Sequence, residues 1–142
     1  MDHSHQLNQL TCQAAWALAQ EGKNLSILIL SQLKKRCPEL SFAIWRRGPA
    51  LAFATLYQSC NKSEVRLLLD AIAEFVLIER LQLDRSEATI EKLITHSNTA
   101  DFFKMGFIQE ETLLFVEQVE KYAAGLIGEE SRSAAEEQPQ KE

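Results

Sequence analysis

Between Ser63 and Leu81 the apolar residues Val65, Leu68, Leu69, Ile72, Phe75 and Val76 recur at intervals of one or three residues, with Arg66, Asp70 and Glu74 in the gaps. This period matches one face of an α-helix and not a strand, whose side chains alternate every two residues. A stripe this continuous has to be buried against other elements. It predicts a central core helix from Glu64 to about Leu81, capped by Ser63.

The same period recurs on both sides of that segment. Leu7, Leu10, Ala14, Ala17 and Leu18 predict a first helix to about Gln20, with Ser4 as its cap and Gly22 as its stop. Asn24 is placed to cap a second helix, Leu25 to Arg36, burying Ile27, Leu28, Leu30 and Leu33. The run from Leu25 to Leu30 would also suit a strand. No other segment offers it a partner, and an isolated strand leaves its backbone groups unpaired, so helix is the reading. Pro38 suits the first position of a short helix to about Trp45, where a proline forfeits no helical hydrogen bond. Gly48 and Pro49 repeat that logic, ending one helix near Arg47 and opening another that runs to Cys60 and packs Leu51, Phe53, Leu56 and Tyr57. Asp84 followed by Glu87 reads as a capping box for a short helix burying Ile90, Leu93 and Ile94. One turn over Ala100–Met105 precedes Gly106. A last helix from about Ile108 then buries Thr112, Phe115, Val116, Val119, Tyr122, Ala123 and Leu126, with Glu110, Glu111, Glu117 and Glu120 away from that face.

These elements predict an all-α compact bundle of about six helices. Residues 1–127 would form a single helical domain, and 128–142 a disordered acidic tail, because Gly128 to Glu142 has almost nothing to bury. A chain of 142 residues can bury a sizeable core without disulfides or metal. Cys12, Cys37 and Cys60 are odd in number and widely spaced, as expected of reduced thiols. Apolar runs fall short of the roughly 20 residues of a membrane span. Met1 to Gln6 lack the basic and apolar regions of a secretory signal, so the expectation is a cytoplasmic protein with no membrane partner.

Little in the sequence suggests catalysis. His3 and His5 beside Asp2 lie on a terminus with no fixed geometry for a metal, and His96 stands in a polar turn with no Cys or Ser nearby to activate. No phosphate loop, zincin motif or paired CxxC occurs, so neither a cofactor nor an enzyme activity is expected. Charge is more informative. The net charge of −5 divides into a basic first part, residues 1–66, with 8 Lys/Arg against 4 Asp/Glu, and an acidic remainder with 7 against 16. Such a split suits either a face turned to a polyanion or head-to-tail contact between copies, unless solvated faces simply differ. Lys34, Lys35 and Arg36, and then Arg46 and Arg47, close helices whose carbonyl ends attract cations. Five cations in that short a span exceed what two caps require. With Lys62 and Arg66 they are candidates for one basic strip along a sugar-phosphate backbone. Trp45 has two readings, a base-stacking residue or, more commonly at a helix end, a core residue. Trp16 reads as packing.

The run Leu33-Lys34-Lys35-Arg36-Cys37-Pro38, then Ile44 and Gly48-Pro49-Ala50-Leu51-Ala52-Phe53-Ala54, resembles the small subunit of the Cmr (type III-B) CRISPR complex, which has Leu-Pro, an Ile, then Gly-Leu and Ala-Phe in this segment. Glu111-Thr112-Leu113-Leu114-Phe115-Val116 followed by Lys121-Tyr122-Ala123 is similar to that family's last helix, which typically reads Glu-Ala-Leu, an apolar stretch, then Lys-Arg-Phe-Ala. Pro49 and Gln118 depart from the family, which has an apolar residue at the first position and commonly a Trp at the second. The small subunit of the Csm (type III-A) complex is an alternative of the same class.

The resemblance implies a non-catalytic subunit. Copies of it would stack in a short filament beside the guide-carrying backbone subunits, contacting the backbones of guide RNA and target RNA while base pairing supplies the sequence specificity. Lys34, Lys35, Arg36, Arg46 and Arg47 would be the phosphate contacts, and the acidic later part could meet the basic part of the next copy. Two other classes remain. A helical protein–protein adaptor would associate without RNA. A helix-turn-helix DNA binder would need a basic recognition helix, and residues 50–60 contain no cation.

Overall fold

A computed structural model describes residues 3–137, with side chains described over 9–134, and all its regular elements are helical. Helices α1 (His3–Leu25), α2 (Ile27–Arg47), α3 (Pro49–Tyr57), α4 (Ser63–Ala73), α5 (Ile90–Thr99) and α6 (Phe102–Glu137) follow in order. A π-helical turn, Glu74–Arg80, continues α4, and a 3-10 turn, Arg85–Glu87, precedes α5. The expected all-α bundle with six α-helices is what the chain forms. Its expected tail is helical as far as Glu137, with residues 128–134 exposed, and residues 138–142 lie outside the described ones, as do the side chains of His3 and His5.

Several expected breaks prove to be continuous helix. Gly22 does not end α1. It faces α2 so closely that an added Cβ would lie 3.3 Å from Leu33 Cδ2 and 3.5 Å from Leu30 Cδ1. The glycine therefore serves close helix approach, and α1 runs on to Leu25. The cap of α2 is Ser26, not Asn24, with its hydroxyl accepting from the Ile29 N–H at 3.0 Å.

Pro38 does not open a new helix either. Leu30, Leu33, Cys37, Leu40 and Ile44 are all buried on one continuous stripe of α2, and that packing outweighs the one hydrogen bond a proline removes. Gly106 lies exposed inside α6, and a helical glycine costs only about 1 kcal/mol relative to alanine, too little to break a helix capped before it and packed from Ile108 onward. Asp101 supplies the cap, its carboxylate accepting from the Lys104 N–H at 2.8 Å. At α4, Lys62 occupies the cap position and Ser63 is already helical. At α5 the cap is Thr89, while Asp84 caps the 3-10 turn through the Ser86 N–H at 3.1 Å.

The Gly48–Pro49 break is real. The Gly48 N–H closes α2 onto the Ile44 carbonyl at 2.8 Å, and Pro49 takes the first position of α3. Gly48 has φ 87° and ψ 164°, a region essentially restricted to glycine. Nothing lies within 4 Å of a Cβ added there. Gly48→Ala is therefore expected to lower stability by about 1–3 kcal/mol from backbone strain alone. Urea unfolding with an unchanged slope and a lower midpoint would show it. An unchanged midpoint would mean that the junction relaxes freely.

The core is one cluster drawn from every α-helix, with Phe53, Phe75 and Phe115 its largest fully buried side chains. Phe75 and Phe115 stack with ring centroids 5.0 Å apart and planes 17° apart, tying the π turn to α6. Every expected stripe residue from Val65 to Val76 is buried, as are Thr112, Phe115, Val116, Val119, Ala123 and Leu126. Glu111 departs from expectation. It is buried and paired with Arg80 of the π turn, Oε1 to Nη2 at 2.6 Å, while Arg80 stands over the Phe107 ring at 5.7 Å. That hydrogen bond to Glu111 raises the Arg80 pKa above its ordinary value and favours the charged guanidinium.

Candidate nucleic-acid interface

The candidate cations are positioned by two elements, α2 and the start of α4. Neighbouring residues on an α-helix are about 100° apart around its axis, so Lys34, Lys35 and Arg36 project in three directions. Residues eleven apart return to nearly the same direction, about 16 Å along. Lys35 therefore shares a line with Arg46, and Arg36 shares one with Arg47. The seven candidates do not form a single row.

Arg36 is engaged inside the protein. Its guanidinium meets Glu64 of α4 at 3.3 Å and Glu39 at 3.3 Å, and its side chain is largely covered. Glu64 is buried, so this pair holds α2 against α4 and leaves Arg36 little freedom to meet a phosphate. Lys62 and Arg66 flank Glu64 on α4, and both are exposed. Arg66 also lies close enough to Asp70 and Glu91 to favour their ionised forms. Lys34 is half-buried, whereas Lys35, Arg46 and Arg47 are exposed and form no ion pair among the described residues.

The outer line of α2 is aromatic as well as basic. Phe42 falls between Lys35 and Arg46, and the Arg46 guanidinium sits 5.9 Å over its ring. Phe42 is 64% exposed and Trp45 71% exposed, so the packing reading of Trp45 is overturned. Leu28, Ile27 and Leu51, expected inside, are exposed too. They sit on the side of α2 and α3 away from the core, where sequence period alone could not tell one apolar stripe from another. Trp16 does meet Tyr122 edge-on at 5.3 Å, but 43% of it faces solvent.

Two grooves flank these helices. One, of about 700 Å³, runs between α2 and α6 beside Trp45. The other, of about 530 Å³, lies between α1 and α4 with Leu10, Leu18 and Leu67 on its walls and Glu21, Asp70 and Glu79 among its carboxylates. Partial burial raises the Asp70 pKa above its ordinary value, against the opposing pull of Arg66.

Chemistry elsewhere is sparse. Burial, with the nearby Glu120 charge, pushes the Cys37 thiol up to about 12, leaving it protonated and bonded to the Leu33 carbonyl. His96 belongs to α5 and not to a turn, with its Nδ1 3.0 Å from Lys104 Nζ. Among the described residues no group of three His, Cys, Asp or Glu is placed to hold a metal ion, and no helix is long and apolar enough to cross a membrane. The Arg80–Glu111 pair gave no local signal in the sequence, since its partners are 31 residues apart.

Fold and surface together define an all-helical domain with a basic, aromatic outer face on its second helix. No family model, curated protein or solved structure matches the chain.

Proposed function

We propose that this chain is a non-catalytic small subunit of a type III-B (Cmr) CRISPR effector complex, stacked beside the backbone subunits and touching guide and target RNA along their sugar-phosphate backbones. The observation that carries the reading is the outer side of α2, where Lys35, Phe42 and Arg46 share one line and Trp45 stands beside it, all of them exposed. Cations that neutralise phosphates, interleaved with aromatic rings that stack on bases, are the combination single-stranded RNA requires. The similar motifs support it from two places. Gly48 stands at a junction whose backbone needs glycine, and from the Glu111 to Ala123 stretch Thr112, Phe115, Val116, Val119 and Ala123 form the α6 face packed into the core.

In this reading Lys35, Arg46 and Arg47 make the principal phosphate contacts, and Lys62 and Arg66 extend them onto α4. Arg36 positions α4 through Glu64, and Lys34 contributes at the margin. The acidic groove between α1 and α4 would take the basic side of the next copy, a head-to-tail contact that propagates a filament. Tagged protein co-expressed with the other Cmr subunits and guide RNA is expected to purify as a stoichiometric component of the complex. Absence from the purified complex would overturn the proposal.

The second reading, a helical protein adaptor, draws on the exposed Phe102 and Phe103, at 80% and 85% exposure. It requires that associations survive nuclease treatment, whereas RNA-dependent ones are lost.

A further inference from the structure

The groove between α2 and α6 is walled on the α6 side by a single stripe. Glu110, Leu113, Leu114, Glu117 and Glu120 follow one another along it at helical spacing, so the two leucines have one carboxylate a turn before them and two in the turns after. The facing wall, on α2, carries Trp45. Among the described residues no Lys or Arg lines this groove of about 700 Å³.

Little of this stripe is used within the chain. Trp45 is 71% exposed and Leu114 41%, and the Trp45 ring packs on no other aromatic ring among the described residues. Glu110 and Glu120 form no ion pair among the described residues. Glu117 pairs only with Lys121, one turn along the same exposed helix face, at 3.3 Å.

Exposed apolar surface rimmed by charge marks an interaction site, and the sign of the rim decides what fits. Three carboxylates beside an indole ring attract a cation, through its charge and through the ring face. The same carboxylates repel a phosphate backbone, so RNA belongs on the outer line of α2, where Lys35 and Arg46 stand. The chain's own remaining side chains do not supply the occupant. Residues 1–8 contain no Lys or Arg, and residues 135–142 contain one Lys against three Glu. The repeat along the stripe selects a helix: Glu110 and Glu117 are two turns apart, about 10 Å, and a helix laid in a groove presents side chains at that same repeat.

We propose that this groove is the docking site for a basic amphipathic helix of another protein. Its apolar side chains would cover Trp45, Leu113 and Leu114, and its Lys or Arg side chains, a turn to either side, would meet Glu110 and Glu117, with Glu120 extending the acidic wall. The inference goes beyond the function proposed above and does not depend on RNA binding.

Fluorescence anisotropy on the full chain tests it, with a labelled synthetic peptide of about 18 residues as the probe, long enough to form a helix. The peptide is Ala-based, with one stripe of Leu flanked a turn away by Lys, and its control carries Glu in place of every Lys. At physiological salt, which screens long-range attraction, the parent is expected to bind the Lys peptide about tenfold more tightly than the Glu peptide. Glu110→Lys with Glu117→Lys should reverse that preference, a result misfolding could not give. Trp45→Ala should weaken the Lys peptide about tenfold. Glu129→Lys with Glu130→Lys makes the same change of charge on the exposed end of α6 and should leave the preference as it is. Equal binding of the two peptides would overturn the proposal. So would a Glu129 and Glu130 variant that acts as strongly as the groove variant, which would assign the effect to net charge. No binding of either peptide, with an RNA affinity that falls in Leu114→Ala, would assign the groove to RNA. A parent that light scattering shows to be a dimer until Glu110 and Glu117 are reversed would assign it to a second copy, and either result would overturn the proposal.

Discussion

Glu111→Ala is expected to lower the free energy of unfolding by about 3 kcal/mol, a large part of a domain's total stability. The cause is the charge left behind. Arg80 and Glu111 are both about nine-tenths covered, and Arg80 Nε already has no hydrogen-bond partner among the described residues. Removing the carboxylate would strand the guanidinium between the π turn and α6, where Phe107 provides a ring face but no acceptor. Arg80→Met combined with Glu111→Leu should recover most of the loss, since a buried pair exchanged for apolar side chains is often neutral. Denaturant unfolding of the three variants checks this. If Glu111→Ala unfolds at the parent's midpoint, the pair contributes no net stability and Arg80 reaches water without strain.

Reversing Arg46 and Arg47 together, Arg46→Glu with Arg47→Glu, carries the largest expected functional effect. Each phosphate contact on a single strand contributes about 0.7 to the log–log salt slope, so losing two flattens the slope by about 1.4. At roughly 0.1 M salt that corresponds to about a 25-fold loss of affinity, similar for all RNA sequences because backbone contacts carry no base information. The stability cost should be small, since both side chains are exposed and neither forms an ion pair among the described residues. Titrations at several salt concentrations measure both quantities. A parental slope in the variant would remove the pair from backbone contact. The matching Arg36→Glu change is expected to act mainly on stability, through repulsion of Glu64 and Glu39.

How much of this was legible in the sequence depended on whether the signal was local. Val65 to Val76 and Thr112 to Leu126 carry an unbroken helical period, and both faces are buried as their spacing requires. Helix ends were harder to read. Gly22, Pro38 and Gly106 look like breaks, but the first two are bridged by packing on either side, and Gly106 by the Asp101 cap before it and the packing that begins at Ile108. Burial along α2 was harder still, because the helix carries two apolar stripes. Leu30, Leu33 and Ile44 go inside while Leu28, Phe42 and Trp45 stay outside, a choice made by α1, α4 and α6 and not by α2 itself. The cations were found as a group, but their sorting was not. Glu64 claims Arg36 through a contact 28 residues apart that no spacing rule anticipates.

The π turn that ends α4 has a consequence for how this chain can change length. Within it the Leu81 N–H reaches back five residues to the Val76 carbonyl, at 2.9 Å, so the turn holds one residue more than an α-turn would. Deleting a single residue between Glu74 and Arg80 would let the segment tighten into ordinary α-helix without breaking the chain path. Because the wide turn already absorbs that residue, the segment beyond the deletion would keep its direction and phase. Arg80 would stay beside Glu111, and Leu81 and Leu83 would keep the positions from which they pack against the core. The π turn is therefore the place where this chain has a residue to spare, and a chain shortened there could keep both its helices and the alignment that joins the first four to the last two.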